Sequence, residues 1–78
     1  MIINVTTVEV IPDYQLKLEF DNGETRLFDF RNYLDYKCYE TLKNIDNFNQ
    51  ARVFLGTVSW GNNIDIAPET LYEKSIKM

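Results

Sequence analysis

Seventy-eight residues leave room for one hydrophobic core, and 45% apolar with 14% aromatic residues is too rich a composition for a disordered chain. Eight Lys and Arg against twelve Asp and Glu give a net charge of -4, and the bases are scattered singly, which argues against direct nucleic-acid binding. No apolar run approaches the ~18 to 20 residues that span a bilayer and no basic-then-apolar leader is visible; the single cysteine cannot close an internal disulfide, so a cytoplasmic protein is expected.

The first thirty residues read as strands. Val5, Val8, Val10 and Ile11 crowd a β-branched segment, and Tyr14, Leu16, Leu18 and Phe20 alternate with Gln15, Lys17 and Glu19. Pro12 and Asp13 punctuate the first two strands, and Asp21, Asn22 and Gly23 supply a tight hairpin, giving a meander of three strands. A two-residue turn at Asn22 and Gly23 would set Glu19 opposite Arg26 and Leu18 opposite Leu27. That register leaves Phe28 and Phe30 on the Glu19 face, so either both faces of the third strand are covered or a bulge at Gly23 shifts the phase.

Alternation then stops. Leu34, Cys38, Leu42 and Ile45 recur at helical spacing through Asn44, with Asn32 as a candidate cap, Cys38 as a small core residue and Tyr39 flanking the buried side. Asp35, Tyr36 and Lys37 interrupt the stripe, so one rod and two short turns joined near Tyr36 are both open. From Phe48 the pattern returns to strand: Val53 and Phe54 lead through Leu55, Gly56 and Thr57 into Val58, Ser59 and Trp60. Gly61, Asn62 and Asn63 make a further turn, Ile64 and Ile66 bracket Asp65, and Pro68 opens a last helix with Glu69 in its first turn. That helix carries Leu71, Tyr72 and Ile76, with Lys74 and Lys77 complementing its carboxyl end. No linker or repeat divides the chain, so one α+β domain over residues 1–78 is expected: an antiparallel meander of three strands, a helical segment, a second β-hairpin with short strands and a C-terminal helix.

Chemistry is conspicuous by what is missing. Without histidine there is no Ser-His-Asp or Cys-His set and no imidazole for zinc. Gly23, Gly56 and Gly61 fall in turns and never cluster to cradle phosphates. No catalytic residues, cofactor or metal site are therefore expected, and Asp29 and Asp65 read by default as solvated or capping carboxylates. The segment Trp60, Gly61, Asn62, Asn63, Ile64, Asp65, with Tyr72 on the next helix, gathers rings, amides and a carboxylate around one turn. Together with Asp29 it forms the candidate interaction surface: Asp29, Trp60, Asn62, Asn63, Asp65 and Tyr72. Trp60 reads first as a core anchor, and both roles can hold at once.

The segments YQLKLEFDNGETRLFD (Tyr14 to Asp29) and GTVSWGNNIDIAPETLY (Gly56 to Tyr72), with Leu42 and Phe48 between them, resemble the bacterial domain of unknown function family 2442. The most specific part is the tryptophan followed by a Gly or Asn turn, then Asp65, Pro68, Leu71 and Tyr72; Gly61 stands where similar sequences commonly have proline. The resemblance implies a small α+β domain with no agreed catalytic set, found alone or joined to modules such as a helix-turn-helix. Stand-alone members look like one half of two-gene units similar to toxin-antitoxin pairs.

Three functions follow as expectations. The first is a non-catalytic protein-interaction domain, an acidic antitoxin-like partner of a small basic protein. The alternative is a small-ligand binder or carboxylate-based enzyme at the Trp60 to Asp65 turn. The third is a homodimer covering apolar surface left by Phe28 and Phe30.

Overall fold

The computed structural model describes residues 3–61 and 64–78. Strands β1 (Val5–Ile11), β2 (Gln15–Phe20) and β3 (Thr25–Asp29) form the antiparallel meander that the alternation predicts. The β1–β2 turn puts Asp13 (φ 70°) and Tyr14 (φ 61°) in the left-handed region. Asparagine and aspartate tolerate that conformation, whereas tyrosine needs compensation. It gains an edge contact with Phe48 (ring centroids 5.1 Å apart) and a hydrogen bond from its hydroxyl to the Lys43 carbonyl.

At the second turn the bulge alternative holds. The Phe20 amide donates to the Glu24 carbonyl (2.9 Å), so the loop holds three residues and ends in Gly23 at φ 88°. The extra residue slides the register by one: Leu18 lies opposite Arg26, Glu19 opposite Thr25 and Leu16 opposite Phe28. The Glu19–Arg26 pairing of a two-residue turn is thus replaced, and Phe28 joins Leu16 and Leu18 on the inner face. Phe28 and Phe30 are fully buried, so a dimer built on those rings has no apolar surface to cover.

The helical region is three short pieces instead of one rod: 3₁₀ turns at Arg31–Tyr33 and Lys37–Lys43, and α1 at Ile45–Phe48. Extended backbone at Tyr36 (ψ 135°) makes the break the sequence placed there, and Asn44 (ψ 118°) makes a second. A 3₁₀ turn repeats every three residues, so the 3.6-residue stripe does not survive. Cys38 and Ile45, both expected inside, are exposed, while Leu42 and Phe48 are buried and Tyr39 packs against the core. Asn32 caps nothing, since the first turn starts after Phe30 without a side-chain cap; Asn44 is the residue that caps, accepting from the Asp46 amide at 2.9 Å.

The second sheet has the order β4 (Arg52–Phe54), β5 (Thr57–Gly61), β6 (Ile64–Ile66). Leu55 (φ 52°) and Gly56 (φ 78°) make a two-residue β4–β5 turn with positive φ at both positions. Gly56 is further constrained because a Cβ there would run into the Asn4 side chain. Helix α2 (Pro68–Lys74) opens with Pro68 at its first position, as predicted. It stops earlier than the sequence suggests: Ser75 is extended, and Ile76–Lys77 forms β7, which pairs with β3 and makes the first sheet β1-β2-β3-β7. Ile76 is accordingly exposed and Lys77 belongs to a strand, not to a helix end. The buried side chains form one cluster, with Leu16, Leu18, Phe20 and Phe28 of the first sheet, Val58, Trp60 and Ile66 of the second, and Leu42, Phe48 and Leu71 from the helical pieces.

Candidate functional site

Of the residues expected to share one surface, the four described ones, Asp29, Trp60, Asp65 and Tyr72, make separate sets of contacts. Trp60 is 6% exposed, its Nε1 donates to the Phe48 carbonyl at 3.0 Å, and its ring lies against Phe30 and Phe48 (centroids 5.2 and 5.8 Å). It is a core anchor with a satisfied polar handle. Asp29 sits at the end of β3 and is gripped by Arg31, whose Nη2 donates to Oδ2 at 2.7 Å while its Nε and amide donate to Oδ1 at 3.0 Å. The guanidinium hydrogen bonds hold this carboxyl below the usual aspartate range. Asn62 and Asn63 lie outside the described residues.

Asp65 is exposed and stands opposite Ser59 on β5, which is itself opposite Arg52 on β4. Alternation along β5 therefore puts Asp65, Ser59 and Arg52 on the face away from Trp60. The Tyr39 hydroxyl donates to the Asp65 carbonyl at 3.1 Å, joining the long 3₁₀ turn to β6. Burial, with charge from Cys38 and Asp65 adding to it, pushes that hydroxyl above the usual tyrosine range.

Tyr72 belongs to a separate network at the β2–β3 turn. Its ring meets Phe20 edge-on (5.2 Å, 88°), and its hydroxyl donates to Glu24. Glu24 pairs with Arg26 at 2.7 Å, both side chains being largely buried (20% and 15% exposed). Arg26 also donates to Ser75 Oγ (2.7 Å) and the Ser75 carbonyl (3.0 Å), with its guanidinium carbon 4.4 Å from the Tyr72 ring centre. This network ties the end of α2 and the start of β7 to the hairpin.

Hydrogen bonds, first from Tyr72 and then from Arg26 and Asn22, hold Glu24 below the usual glutamate range, and the bond to Glu24 pushes the Tyr72 hydroxyl up. The stability that Glu24 contributes is complete above the ordinary glutamate pKa and is lost as pH falls through its depressed value; that of Tyr72 is complete below the ordinary tyrosine pKa and is lost as pH rises through its raised value. In Tyr72→Phe both dependences should flatten, read as urea midpoints across the acid and alkaline limbs. An unchanged acid limb would mean that the hydroxyl does not hold the carboxylate.

Two concavities are lined by described residues. One, of about 310 Å³, is lined by Thr41, Leu42, Asn47, Gln50, Trp60 and Ile64 and offers amides and a hydroxyl without an ionisable group. The other, about 440 Å³, lies between the β1–β2 turn (Val10, Ile11, Pro12, Asp13) and α1 (Ile45, Asn49) and carries one carboxylate. Among the described residues no three acidic or cysteine side chains gather where they could hold a metal ion, and no helix is long and apolar enough to cross a membrane. Sequence reasoning passed over the most exposed apolar feature: Leu55, 86% exposed, and Phe54, 53% exposed, at the tip of the β4–β5 hairpin. The signal was the absence of Asn or Asp before Gly56, which is where such a turn ordinarily places one.

Two antiparallel sheets closed by short helical pieces around a shared core define a small α+β domain. The family model described as protein of unknown function (DUF2442) matches residues 5–77, essentially the whole chain, and the chain belongs to that family. No curated protein and no solved structure matches it.

Proposed function

We propose that this chain is a protein-interaction module that docks a partner through the β4–β5 hairpin tip. The observation that carries this reading is Leu55, which combines a left-handed backbone with an 86% exposed aliphatic side chain. The backbone costs about 1 kcal/mol for a residue other than Gly, Asn or Asp, and the exposed side chain returns nothing to folding. A residue that burdens the free protein twice is explained by what it contacts outside it. Phe54 beside it, and Arg52 with its guanidinium carbon 6.0 Å from the Phe54 ring centre, extend the patch along β4. Aromatic, aliphatic and arginine side chains are those that anchor interfaces.

The net charge of -4 favours a basic partner, which fits the antitoxin-like half of a two-gene unit. An acidic chain with one exposed thiol and no disulfide suits the cytoplasm. Leu55→Asn gives the test, because Asn-Gly is the preferred type I′ pair. The variant should be more stable by about 0.5–1 kcal/mol, raising Tm by about 2–8 °C. It should also lose the stoichiometric partner that the tagged parent protein captures at native abundance. A variant that is stabilised yet captures the same partner equally well would count against the hairpin as the docking site.

A further inference from the structure

Three tyrosines span the two 3₁₀ turns and the break between them. Tyr33 ends the first turn, Tyr36 stands at the extended break and Tyr39 lies in the second turn, with ring centroids 5.6 Å apart for the first pair and 6.3 Å for the second, the latter stacked at 24°. The outer two are anchored. Tyr33 rests on Phe28 (5.3 Å), Tyr39 meets Phe30 edge-on (5.1 Å), and the Tyr39 hydroxyl is bound to Asp65. Tyr36 between them is 56% exposed, so an aromatic face is held in place at the surface by two half-buried neighbours.

The charge around this ladder leans acidic. Asp29 is paired with Arg31, and Asp35 weakly with Lys43 at 3.7 Å in solvent, which leaves Glu40 and Asp65 against Lys37; the Asp65 charge reaches the Tyr39 hydroxyl. A π-face bordered by carboxylates selects a planar cation, and it repels the phosphates that a nucleobase would bring with it. The molecule already contains the geometry once, with Arg26 over Tyr72 beside Glu24.

We propose that the Tyr33, Tyr36 and Tyr39 ladder, bounded by Asp35 and Asp65, is an arginine-binding platform that seats a basic segment of the protein partner. This inference rests on the interaction reading above and names the chemistry of the occupant. Guanidinium stacking on Tyr36, with a carboxylate at its edge, supplies charge specificity, while the hairpin tip supplies apolar area.

The probe is a synthetic peptide with arginine at alternate positions, titrated into the ¹⁵N-labelled protein beside versions carrying citrulline or lysine at the same positions. The arginine peptide should shift the amides of Tyr36, Tyr39 and Asp65. The citrulline peptide, equally planar but uncharged, should not, and the lysine peptide should bind more weakly. Tyr36→Ala should weaken binding about two- to fivefold, as expected for one exposed cation–π contact, with Tyr36→Phe close to wild type and both variants melting like the parent protein. Equal binding of the citrulline peptide, no shifts with the arginine peptide, or Tyr36→Ala binding as wild type would each overturn the platform; so would a Tyr36→Phe defect as large as that of Tyr36→Ala. The two readings fail separately. A native partner lost from Leu55→Asn but bound by Tyr36→Ala with unchanged affinity keeps the interaction module and discards the ladder, whereas a partner weakened about two- to fivefold by Tyr36→Ala and bound normally by Leu55→Asn keeps the ladder and discards the hairpin.

Discussion

Phe30→Ala should remove a large share of the protein's stability. The ring is fully buried and touches Phe28, Tyr33, Tyr39, Phe48 and Trp60, with centroids between 5.1 and 6.0 Å. It is the one aromatic side chain that joins β3, the 3₁₀ turns, α1 and β5. Truncating a buried phenylalanine costs about 3–5 kcal/mol. A chain of this size is stable by about 4–12 kcal/mol at ~0.05–0.15 kcal/mol per residue, so the loss consumes a large share of the total. Urea unfolding followed by Trp60 fluorescence reads it directly, since that indole packs on the deleted ring. Tyr36→Ala, on the surface end of the same aromatic chain, should cost less than about 0.5 kcal/mol. A Phe30→Ala loss below about 1 kcal/mol would mean that the neighbouring rings close over the gap.

Arg26→Ala should detach the end of the chain from the first sheet at a cost of about 2–3 kcal/mol, below the value for a fully buried ion pair because both partners keep some exposure. The guanidinium is the single group that bonds Glu24 and Ser75 together while lying on Tyr72. Removing it leaves the Glu24 carboxylate with hydrogen bonds from Tyr72 and Asn22 and only the weaker charge of Lys77, and leaves β7 with two paired residues and the Met78 amide bond to the Thr25 carbonyl. Hydrogen exchange should show the Ile76 to Met78 amides losing protection well before the β2 amides. Arg26→Lys should not rescue, because an ammonium cannot reach Glu24 and both Ser75 acceptors with one planar fork. Retained protection at Met78 would place the grip on β7 elsewhere.

Much of the fold was legible where local chemistry is decisive. Alternation from Tyr14 to Phe20 fixed β2, Pro68 fixed the start of α2, and the second hairpin followed from its flanking β-branched residues, although Thr57, expected in its turn, pairs with Phe54 and opens β5. The misses have physical causes. Loop length at Gly23 decides the register of β3, yet Asp-Asn-Gly suits a loop of two residues or three, and only the burial of Phe28 and Phe30 selects the longer one. Cys38 was assigned inward on a 3.6-residue period, and the difference between that and a 3₁₀ repeat is small over two turns. β7 exists because β3 offers an open edge, a fact of tertiary structure that Ile76 and Lys77 do not announce. The candidate site fared similarly: Trp60 and Asp65 are close in sequence, but alternation turns the tryptophan inward and the aspartate outward, while Tyr72 is claimed by Glu24 and Arg26.

The left-handed Tyr14 makes one corner of the sheet depend on a distant part of the chain. Its hydroxyl is held by Lys43, 29 residues further along the chain, so the bend between the first two strands is relieved only after the helical pieces have docked. A β1–β2 hairpin excised from the rest would lack that tether and would fray at its own corner. The stability of the β1–β2 corner is thereby coupled to the docking of the segment that follows the meander.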